Sequence, residues 1–313
     1  MHFKLHPWLT ILGLLLAFAV DALGQGANSP AASTQKPGRI RATRVIGQVT
    51  AEDIATKAVQ PLVNGAEISQ GSIVRTGDNS SVVLLFSNGA SISLGFRSEL
   101  NIEQFTQDPF GGTYEPAKAT EEPSVSTTSI RLTQGELVGN VKKLKTSAGS
   151  KFTVGTPVGA AGIRGTTFRI VYRPSGNGLA FNFSLLTVEG NVAVEIASGT
   201  IAAPAVEVTD NKEIVITNVV VNAATNELTI TTAGGQTVVL TTPPPVTDAG
   251  VTDIQQVQAS AQQIAQALFD VTFGGDPNLP GGPNDTNNAD GLPGSPGSTS
   301  GTPRTTPGAG LEP

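Results

Sequence analysis

The feature that most constrains this fold is a short strand that is apolar on both of its faces. In residues 80–86, Val82, Leu84 and Phe86 lie on one face of the strand, and Val83 and Leu85 lie on the other. A strand of this kind must be covered on both faces, as in a β-sandwich or a solenoid. Asn88-Gly89 follows it, and apolar residues then alternate with other residues as far as Phe96. Asn-Gly between apolar runs predicts a hairpin, because both residues accept positive φ.

Turn residues recur between short apolar runs along much of the chain. Further hairpin signals are Glu189-Gly190-Asn191, Asp210-Asn211 and Gly234-Gly235. Only 14% of the residues are charged, and Gly, Ser, Thr, Val and Ala are abundant. This composition favours many short strands over long helices. We therefore predict an all-β domain over residues 44–242, a sandwich, roll or short β-solenoid, with its first strand at Val45–Val49.

One helix and a disordered tail are predicted to follow the β domain. Apolar residues recur at intervals of three and four from Thr252 to Phe269, within a linker-and-helix segment at 243–273. The helix is expected to dock on the β domain or to pair with a partner. Residues 274–313 are rich in glycine and proline and bury too little apolar surface to fold. Within them, 284–291 resembles a calcium loop whose alternation Ala289 interrupts and which lacks the closing glutamate.

The first residues predict export. Lys4 precedes a largely apolar run, Leu9–Val20, which is too short for a membrane-spanning helix. Ala22-Leu23-Gly24 then offers small residues for cleavage, so 1–24 is interpreted as a signal peptide. An uncleaved anchor is the alternative. Residues 25–43 are interpreted as a linker, and no other segment is apolar enough to span a membrane. The mature chain is expected in the periplasm or outside the cell.

The amino-acid composition excludes several kinds of site from the mature chain. The two histidines, His2 and His6, and the only tryptophan, Trp8, lie in the signal, and the chain has no cysteine. Ser-His-Asp and Cys-His nucleophiles therefore cannot be built, nor can Cys/His zinc sites or disulfides. No cofactor is expected. The net charge of −6, from 25 acidic and 19 basic residues, also argues against nucleic acid as a partner.

An acidic segment offers the one route to enzyme chemistry. Residues 104–129 break the strand pattern and are expected to form a long irregular loop. Carboxylates concentrate there and at its edge, at Glu99, Glu103, Asp108, Glu115, Glu121 and Glu122. Paired carboxylates can serve glycosidase chemistry, whereas a solvated acidic loop is the simpler interpretation.

The stretch Lys151–Tyr172 is punctuated by glycine between two strand-like runs. It predicts a closely packed corner between strands, since glycine reaches backbone angles that other residues avoid. It is not a phosphate-binding loop, because no lysine follows the glycine of Gly162-Ile163-Arg164. Arg164 has two interpretations: a staple whose donors satisfy open carbonyls at the corner, which we favour, or an anchor for an anionic ligand. The candidate structural or binding motif is Thr156, Pro157, Arg164, Gly165, Thr166 and Phe168.

This motif resembles the hallmark of the FecR family, F-x-V-x-T-P-x-x-x-A-x-x-R-G-T-x-F. The preceding sequence carries further pieces of the family's pattern in order, so the resemblance covers about Val45 to Ile196. Those pieces are Gly47, Val49, Pro61, Leu62, Gly65, Ile68, Gly71, Val74, Thr76, Gly77, Ser80, Val82, Leu84, Phe86, Gly89, Ser98, Leu100 and Ile102.

The resemblance implies an all-β envelope domain that acts by binding another protein. Family members often carry a cytoplasmic anti-sigma segment and one transmembrane helix, and neither is evident in this sequence. The leading hypothesis is therefore an exported, non-catalytic binding module whose partner is an unknown envelope protein or polysaccharide. A role in signalling or assembly is the expectation. The alternatives are a structural surface or matrix protein and a carbohydrate-active β-solenoid enzyme. The scarcity of aromatic residues, with Tyr114 and Tyr172 the only tyrosines, argues against the enzyme.

Overall fold

The computed structural model describes residues 35–175, 180–198, 201–222, 224–225, 227–239, 243–269 and 271–274. The signal peptide at 1–24, residues 25–34 of the linker, and residues 275–313 of the tail with its calcium-like loop lie outside the described residues. No helix in the described ranges is long and apolar enough to cross a membrane.

The described chain consists mainly of short strands. In the first half they are β1 Lys36–Pro37, β2 Ile40–Ile46, β3 Val49–Asp53, β4 Val59–Pro61, β5 Glu67–Ile68, β6 Ser72–Thr76, β7 Ser81–Phe86, β8 Ser91–Leu94, β9 Glu99–Gln107, β10 Thr113–Tyr114 and β11 Ser126–Asn140. In the second half they are β12 Lys151–Thr156, β13 Gly159–Ile163, β14 Thr167–Ser175, β15 Ala180–Glu189, β16 Val192–Ser198, β17 Ile201–Ala202, β18 Val206–Val208, β19 Lys212–Asn222, β20 Glu227–Thr232, β21 Thr237–Val239, β22 Thr247–Asp248 and β23 Phe273–Gly274. A short 3₁₀ helix spans Thr146–Ala148, and α1 spans Val251–Leu268.

The strands form two large sheets. In the first sheet, hydrogen-bonded neighbours follow the order β4-β3-β6-β9-β11-β12-β13-β16-β18. In the second, the order is β5-β2-β7-β8-β11-β14-β15-β19-β20-β21. Most neighbours are antiparallel, and β11 and β12 run parallel. The all-β class predicted from the sequence is confirmed.

Strand β11 belongs to both sheets. Its first half pairs with β9 and β12, and its second half pairs with β8 and β14. The change falls at Gly135, which has a φ of +102°. A side chain there would also collide with Ser98, because an added Cβ would lie 2.1 Å from its Oγ. Glycine therefore allows one strand to pass from one sheet into the other.

The two sheets pack face to face over one apolar core. Phe86 of the second sheet contacts Phe105 and Phe152 of the first, with ring centroids 5.1 and 6.4 Å apart. All three rings are almost completely buried. Burial of such rings is the main source of stability at this kind of interface, and the edge-to-face geometry adds to it. The arrangement is a β-sandwich through which the chain winds repeatedly between the layers.

Helix α1 forms a third layer on the outer face of the second sheet. Its buried residues Val257, Ile264 and Leu268 pack in one cluster with Val83 and Leu85 of β7. This accounts for the two apolar faces of β7, since one faces the core and the other faces the helix. The predicted helix is confirmed within one residue at each end, and of the two expected roles the docked one is observed.

The predicted turns differ in what they connect. Asn88-Gly89 joins β7 to β8, and Gly234-Gly235 joins β20 to β21, as hairpins. Only Gly89 of the first pair has positive φ. The turns at 189–191 and 209–211 are not hairpins, because β15 and β19 lie in the second sheet while β16 and β18 lie in the first. Turn residues reverse the chain at all four positions. At 189–191 and 209–211, however, the strands before and after the turn lie in different sheets.

Two sequence boundaries are wrong. β1 at Lys36–Pro37 already pairs with β9, and β2 begins at Ile40, which is fully buried, so residues 36–43 belong to the fold and not to the linker. The predicted strand 45–49 is interrupted by a turn at Gly47, which has a φ of +71° and separates β2 from β3. Because apolar residues lie on both sides of Gly47, the sequence pattern did not show the turn.

The expected long loop at 104–129 is also much shorter. Strand β9 continues to Gln107 and β11 begins at Ser126. Between them, β10 pairs with β23, and Tyr114 is 9% exposed. The hydroxyl of Tyr114 donates to the carbonyl of Glu121 at 2.9 Å. Burial of this ring fixes a segment that the sequence predicted to be an irregular loop.

Candidate functional site

The glycine-punctuated stretch forms a hairpin, β12–β13, followed by a crossing into the second sheet at β14. At the hairpin's turn, the buried hydroxyl of Thr156 donates to the carbonyl of Gly159 at 3.1 Å. The same oxygen accepts a hydrogen bond from the backbone N–H of Val158 at 3.3 Å. Pro157 is exposed at the tip. Thr156 therefore closes the turn locally and offers little to a ligand.

The crossing at 164–166 is held by Thr166. Its backbone N–H donates to the carbonyl of Val141, and its carbonyl accepts from the N–H of Val141, both at 3.0 Å. The Thr166 hydroxyl donates to the carbonyl of Asn191, also at 3.0 Å. Gly165 has a φ of +90°, and an added Cβ would lie 3.0 Å from Lys143 Cα. These contacts fix the crossing against the end of β11, as a closely packed corner requires.

The expected staple role of Arg164 is wrong. Its side chain is exposed, and it makes no hydrogen bond or ion pair with any residue that the structure describes. At the crossing, Thr166 and not Arg164 bonds the backbone carbonyls of Val141 and Asn191. Phe168, two residues further on, is fully buried and lies against Gly139. The motif thus divides into buried residues that build the corner and exposed residues, Pro157 and Arg164.

Arg164 lines a shallow groove of about 310 Å³ on the first sheet, called here the basic groove. Lys151, Thr153 and Gly162 also line it. Lys151 is exposed and, like Arg164, makes no hydrogen bond or ion pair within the described ranges. The structure does not bring Thr156 and Pro157 to this groove, because they lie at the opposite end of β13. At about 3.3 Å per residue, the intervening strand separates them by roughly 17 Å.

A second concavity lies on the other side of the crossing. This corner cleft, of about 340 Å³, is lined by Thr120, Asn140, Lys142, Lys143, Gly165 and Glu189 among others. The Lys143 ammonium pairs with Glu121 at 2.7 Å. This hydrogen bond raises the pKa of Lys143 and lowers the pKa of Glu121. Asn140 donates from Nδ2 to the Thr167 hydroxyl at 2.9 Å.

Lys142 differs from its neighbour. It is half-buried, and no hydrogen bond or ion pair joins its ammonium to any described residue. Burial alone lowers the pKa of Lys142, because taking the ammonium out of water disfavours its charged form. Lys142 and Asn140 also line a smaller cavity of about 180 Å³ beneath α1, called here the helix pocket. The two cavities therefore meet at these two side chains.

The acidic residues at the edge of the predicted loop, Glu99 and Glu103, are hydrogen-bonded to arginines. Glu99 accepts from Arg75 Nε at 2.7 Å and from the Thr133 hydroxyl at 2.7 Å. Glu103 accepts from Arg131 Nε at 2.6 Å. Burial raises the pKa of each carboxyl, but these hydrogen bonds outweigh it and hold both pKa values below their usual range. A glycosidase acid needs a raised pKa, so this geometry does not support the carboxylate-enzyme alternative.

Glu122 and Glu115 of that segment have structural or surface partners. Glu122 is 1% exposed and accepts from the Ser126 hydroxyl and from the Lys145 backbone N–H, both at 2.6 Å. Glu115 pairs with Lys118 at 2.5 Å on the surface. Within the described part of the chain, no group of three or more His, Cys, Asp or Glu residues could hold a metal ion.

Sequence reasoning missed Lys142 and Asn140 entirely. The signal in the sequence is Val141-Lys142-Lys143-Leu144-Lys145, three lysines interleaved with two apolar residues at the end of a strand. Such alternation shows that a lysine falls where the chain is buried. It does not show which lysine has an acidic partner, because Glu121 and Glu122 approach from a segment 20 or more residues away.

Comparison with known proteins supports the resemblance found in the sequence. Residues 72–202 match the sequence model of the family described as FecR protein, so the predicted resemblance is confirmed over that range. Two crystal structures of a candidate anti-sigma factor from Parabacteroides distasonis ATCC 8503, at 2.50 and 1.65 Å resolution, align with 61% of this chain. They share 12% identity with it at a TM-score of 0.38, and the alignment covers 64% of their own length, less than two thirds. A search of curated protein sequences found no match.

Proposed function

We propose that this protein is an exported, non-catalytic FecR-like module that binds another protein in the cell envelope. The observation that carries the proposal is the match of residues 72–202 to the FecR family, whose R-G-T-x-F motif lies at the corner between the sheets. Export rests on the order of Lys4, the apolar run and the small residues that end at Gly24. A polysaccharide partner is the alternative.

The basic groove is the surface proposed to contact the partner. Arg164 belongs to the family motif, yet its side chain supports nothing in the described fold. An exposed guanidinium without a partner suits a carboxylate on another molecule, which it can bind through two parallel hydrogen bonds. Lys151 beside it adds a second positive charge. We therefore expect an acidic surface on the partner.

A capture experiment tests both the binding and the groove. The mature chain, the double variant Arg164→Ala/Lys151→Ala and the control Lys57→Ala are each used as bait in envelope extract. Lys57 is 70% exposed between β3 and β4 at one edge of the first sheet, 3.8 Å from Glu52, and controls for loss of surface charge. A protein retained by wild type and Lys57→Ala but lost from the double variant, with melting temperatures equal, supports the proposal.

Two results of that capture would contradict it. Equal retention by all three baits would remove the groove as the contact surface while leaving the binding module in place. If the wild-type bait retained no protein above the background of the matrix without bait, the proposal that this chain is a protein-binding module would be contradicted. In the second case, retention of purified cell-wall polysaccharide would favour the alternative partner.

Export and the absence of catalysis are tested separately. Mass spectrometry of the secreted or periplasmic form is expected to find an N-terminus near Gln25, and intact Met1 in the membrane fraction would contradict export. The purified mature chain is expected to give no turnover of polysaccharides, esters or peptides. Reproducible activity that Glu99→Gln or Glu103→Gln abolished would overturn the non-catalytic proposal.

A further inference from the structure

The Lys142 ammonium is a half-buried charge that the described fold does not neutralise. Its stem packs closely against β7–β8, since a Cβ added at Gly89 would lie 3.0 Å from Lys142 Cγ. The side chain is therefore positioned by packing, not by a charge partner. Burying an unpaired cation is unfavourable, and such groups in concave sites are candidates for ligand binding.

The charges around Lys142 favour a ligand that carries a single negative charge. Lys143, the other ammonium in the corner cleft, is already neutralised by Glu121. Glu189 also lines the cleft and contributes a negative charge to its wall. A dianionic phosphate would meet one free ammonium and one opposing carboxylate. A monoanionic carboxylate would balance Lys142 alone, and Asn140 beside it is a neutral polar neighbour.

The helix pocket beside Lys142 is suited to an apolar group. Ala261, Ile264, Ala265 and Leu268 of α1 line it, with Ala117 opposite. Its volume of about 180 Å³ leaves room for a group larger than one water molecule. A short branched aliphatic chain fits that volume. The Lys142 ammonium and the apolar pocket are therefore adjacent, as the carboxylate and the apolar chain are in a small amphipathic acid.

A structural role for Lys142 is the competing explanation. Its cavity also borders the last turn of α1, whose C-terminus carries partial negative charge and has no basic residue of its own. However, two of the last carbonyls already accept backbone hydrogen bonds, from Phe269 to Gln266 at 3.4 Å and from Val271 to Leu268 at 3.2 Å. If Lys142 served only this helix end, its removal would destabilise the fold and leave ligand binding unaffected.

From this geometry we propose that Lys142 and the helix pocket form a binding site for a carboxylate attached to a short apolar group. The carboxylate lies against the Lys142 ammonium, and the apolar group lies beneath α1. Two sources share this chemistry: a free aliphatic acid and the C-terminal residue of a polypeptide. The site is distinct from the basic groove, so it does not depend on the proposed function.

In the test, small ligands are titrated into the full mature chain, and binding is monitored through the amide chemical shifts of residues 140–143 and 261–269. Isovalerate is expected to bind with a Kd of about 1 mM, acetate at least fivefold more weakly, and isovaleramide not measurably. Gly-Gly-Leu with a free C-terminus, against its amide, separates the two sources. Tighter binding of the peptide indicates a polypeptide end, and tighter binding of isovalerate indicates a free acid.

Matched variants locate the site. Lys142→Met keeps the packed stem and is expected to weaken isovalerate binding at least tenfold without lowering the melting temperature. Lys143→Met, which removes the neutralised neighbour, is expected to change binding less than twofold. Ala261→Phe fills the helix pocket and is expected to abolish isovalerate binding while leaving acetate binding unchanged.

Three outcomes would overturn the proposal. They are failure of isovalerate to bind below 20 mM, unchanged binding in Lys142→Met, and equal losses in Lys142→Met and Lys143→Met. A lower melting temperature of Lys142→Met with unchanged binding would assign the lysine to the helix end instead.

Discussion

Gly165 is the residue at which backbone conformation and close packing coincide. Its φ of +90° disfavours any side chain, and an added Cβ would press on Lys143 Cα at 3.0 Å. Gly190 packs on its other side, with an added Cβ 2.6 Å from the Gly165 carbonyl. Three backbone segments therefore meet at one corner, and neither glycine can be replaced without moving its neighbours.

Gly165→Ala is expected to lower the free energy of unfolding by more than about 1 kcal/mol, measured by urea denaturation. The matched control is Gly162→Ala, three residues earlier in the same motif. An added Cβ there has ordinary contacts, 3.8 Å from the Ala193 carbonyl, so a change within about 0.5 kcal/mol is expected. Equal losses in the two variants would show that the corner imposes no special restriction at Gly165.

At this scale the sequence predicts glycines better than it predicts charged residues. The need for glycine in the corner follows from local chain geometry, so the spacing of glycines in the motif is enough to predict the corner. The environments of Arg164 and Lys142 depend on which distant segments approach them. Arg164 was expected to satisfy carbonyls at the corner and is exposed, whereas Lys142 was overlooked and is half-buried. A side chain's surroundings are set by tertiary contacts that one sequence does not display.

At the scale of elements, the attachment of α1 combines apolar contacts with a charged cluster. Arg169 of β14 lies 3.1 Å from Asp253 at the start of the helix and 3.9 Å from Glu136 of β11. Glu213 of β19 lies near the same cluster. Burial, together with repulsion from Asp253, raises the pKa of Glu213, and attraction to Arg169 only partly offsets this.

This raised pKa predicts a pH-dependent contribution to stability. Because the folded pKa of Glu213 lies above its unfolded value of about 4.5, folding is favoured by protonation. The contribution is fully present below pH 4.5 and is lost as pH rises through the folded pKa. Glu213→Gln is therefore expected to raise the melting temperature at pH 7 and to leave it unchanged at pH 4.

The control is Glu207→Gln, which removes an exposed carboxylate from the other sheet. The measured quantity is the difference in melting temperature between each variant and wild type at each pH, so contributions from other groups cancel. A larger gain at pH 4 than at pH 7, or the same profile in Glu207→Gln, would contradict the assignment to Glu213.

The elements themselves were predictable where the signal is local. The period of apolar residues in α1 and the Asn-Gly and Gly-Gly turns each describe a contact between near neighbours in the chain. The turns at 189–191 and 209–211 carry similar residues, yet they separate two sheets. Turn composition shows that the chain reverses, whereas the choice between pairing and crossing depends on strands elsewhere, such as β13 and β15, that offer free edges.

At the scale of the whole molecule, the structure moves the start of the folded domain toward the N-terminus. Arg41 and Arg44 lie in β2, which pairs with β7, and Arg44 also donates to the carbonyl of Gln263 in α1 at 2.7 Å. Limited trypsin digestion is therefore expected to leave the bonds after both arginines intact. Cleavage after Arg304, in the tail predicted to be disordered, is expected first.

Mass spectrometry of the resistant fragment measures this directly, and the urea-denatured chain controls for intrinsic cleavage at the same sites. A fragment that begins at Ala42 or Val45 in the native digest would restore the linker boundary at 43. Lys118, 76% exposed between β10 and β11, is an accessible internal site for trypsin.

Strand β11 ties the opening of one sheet to the opening of the other. At 127–131 it is hydrogen-bonded on both edges, to β9 and β12, and at 137–140 on both edges, to β8 and β14. Neither sheet can part at its centre while this strand stays paired, so the two layers cannot unfold as independent halves. Amide protons in β11 are consequently expected to exchange with deuterium only through global unfolding, at a rate that denaturant accelerates with the full m-value of the protein.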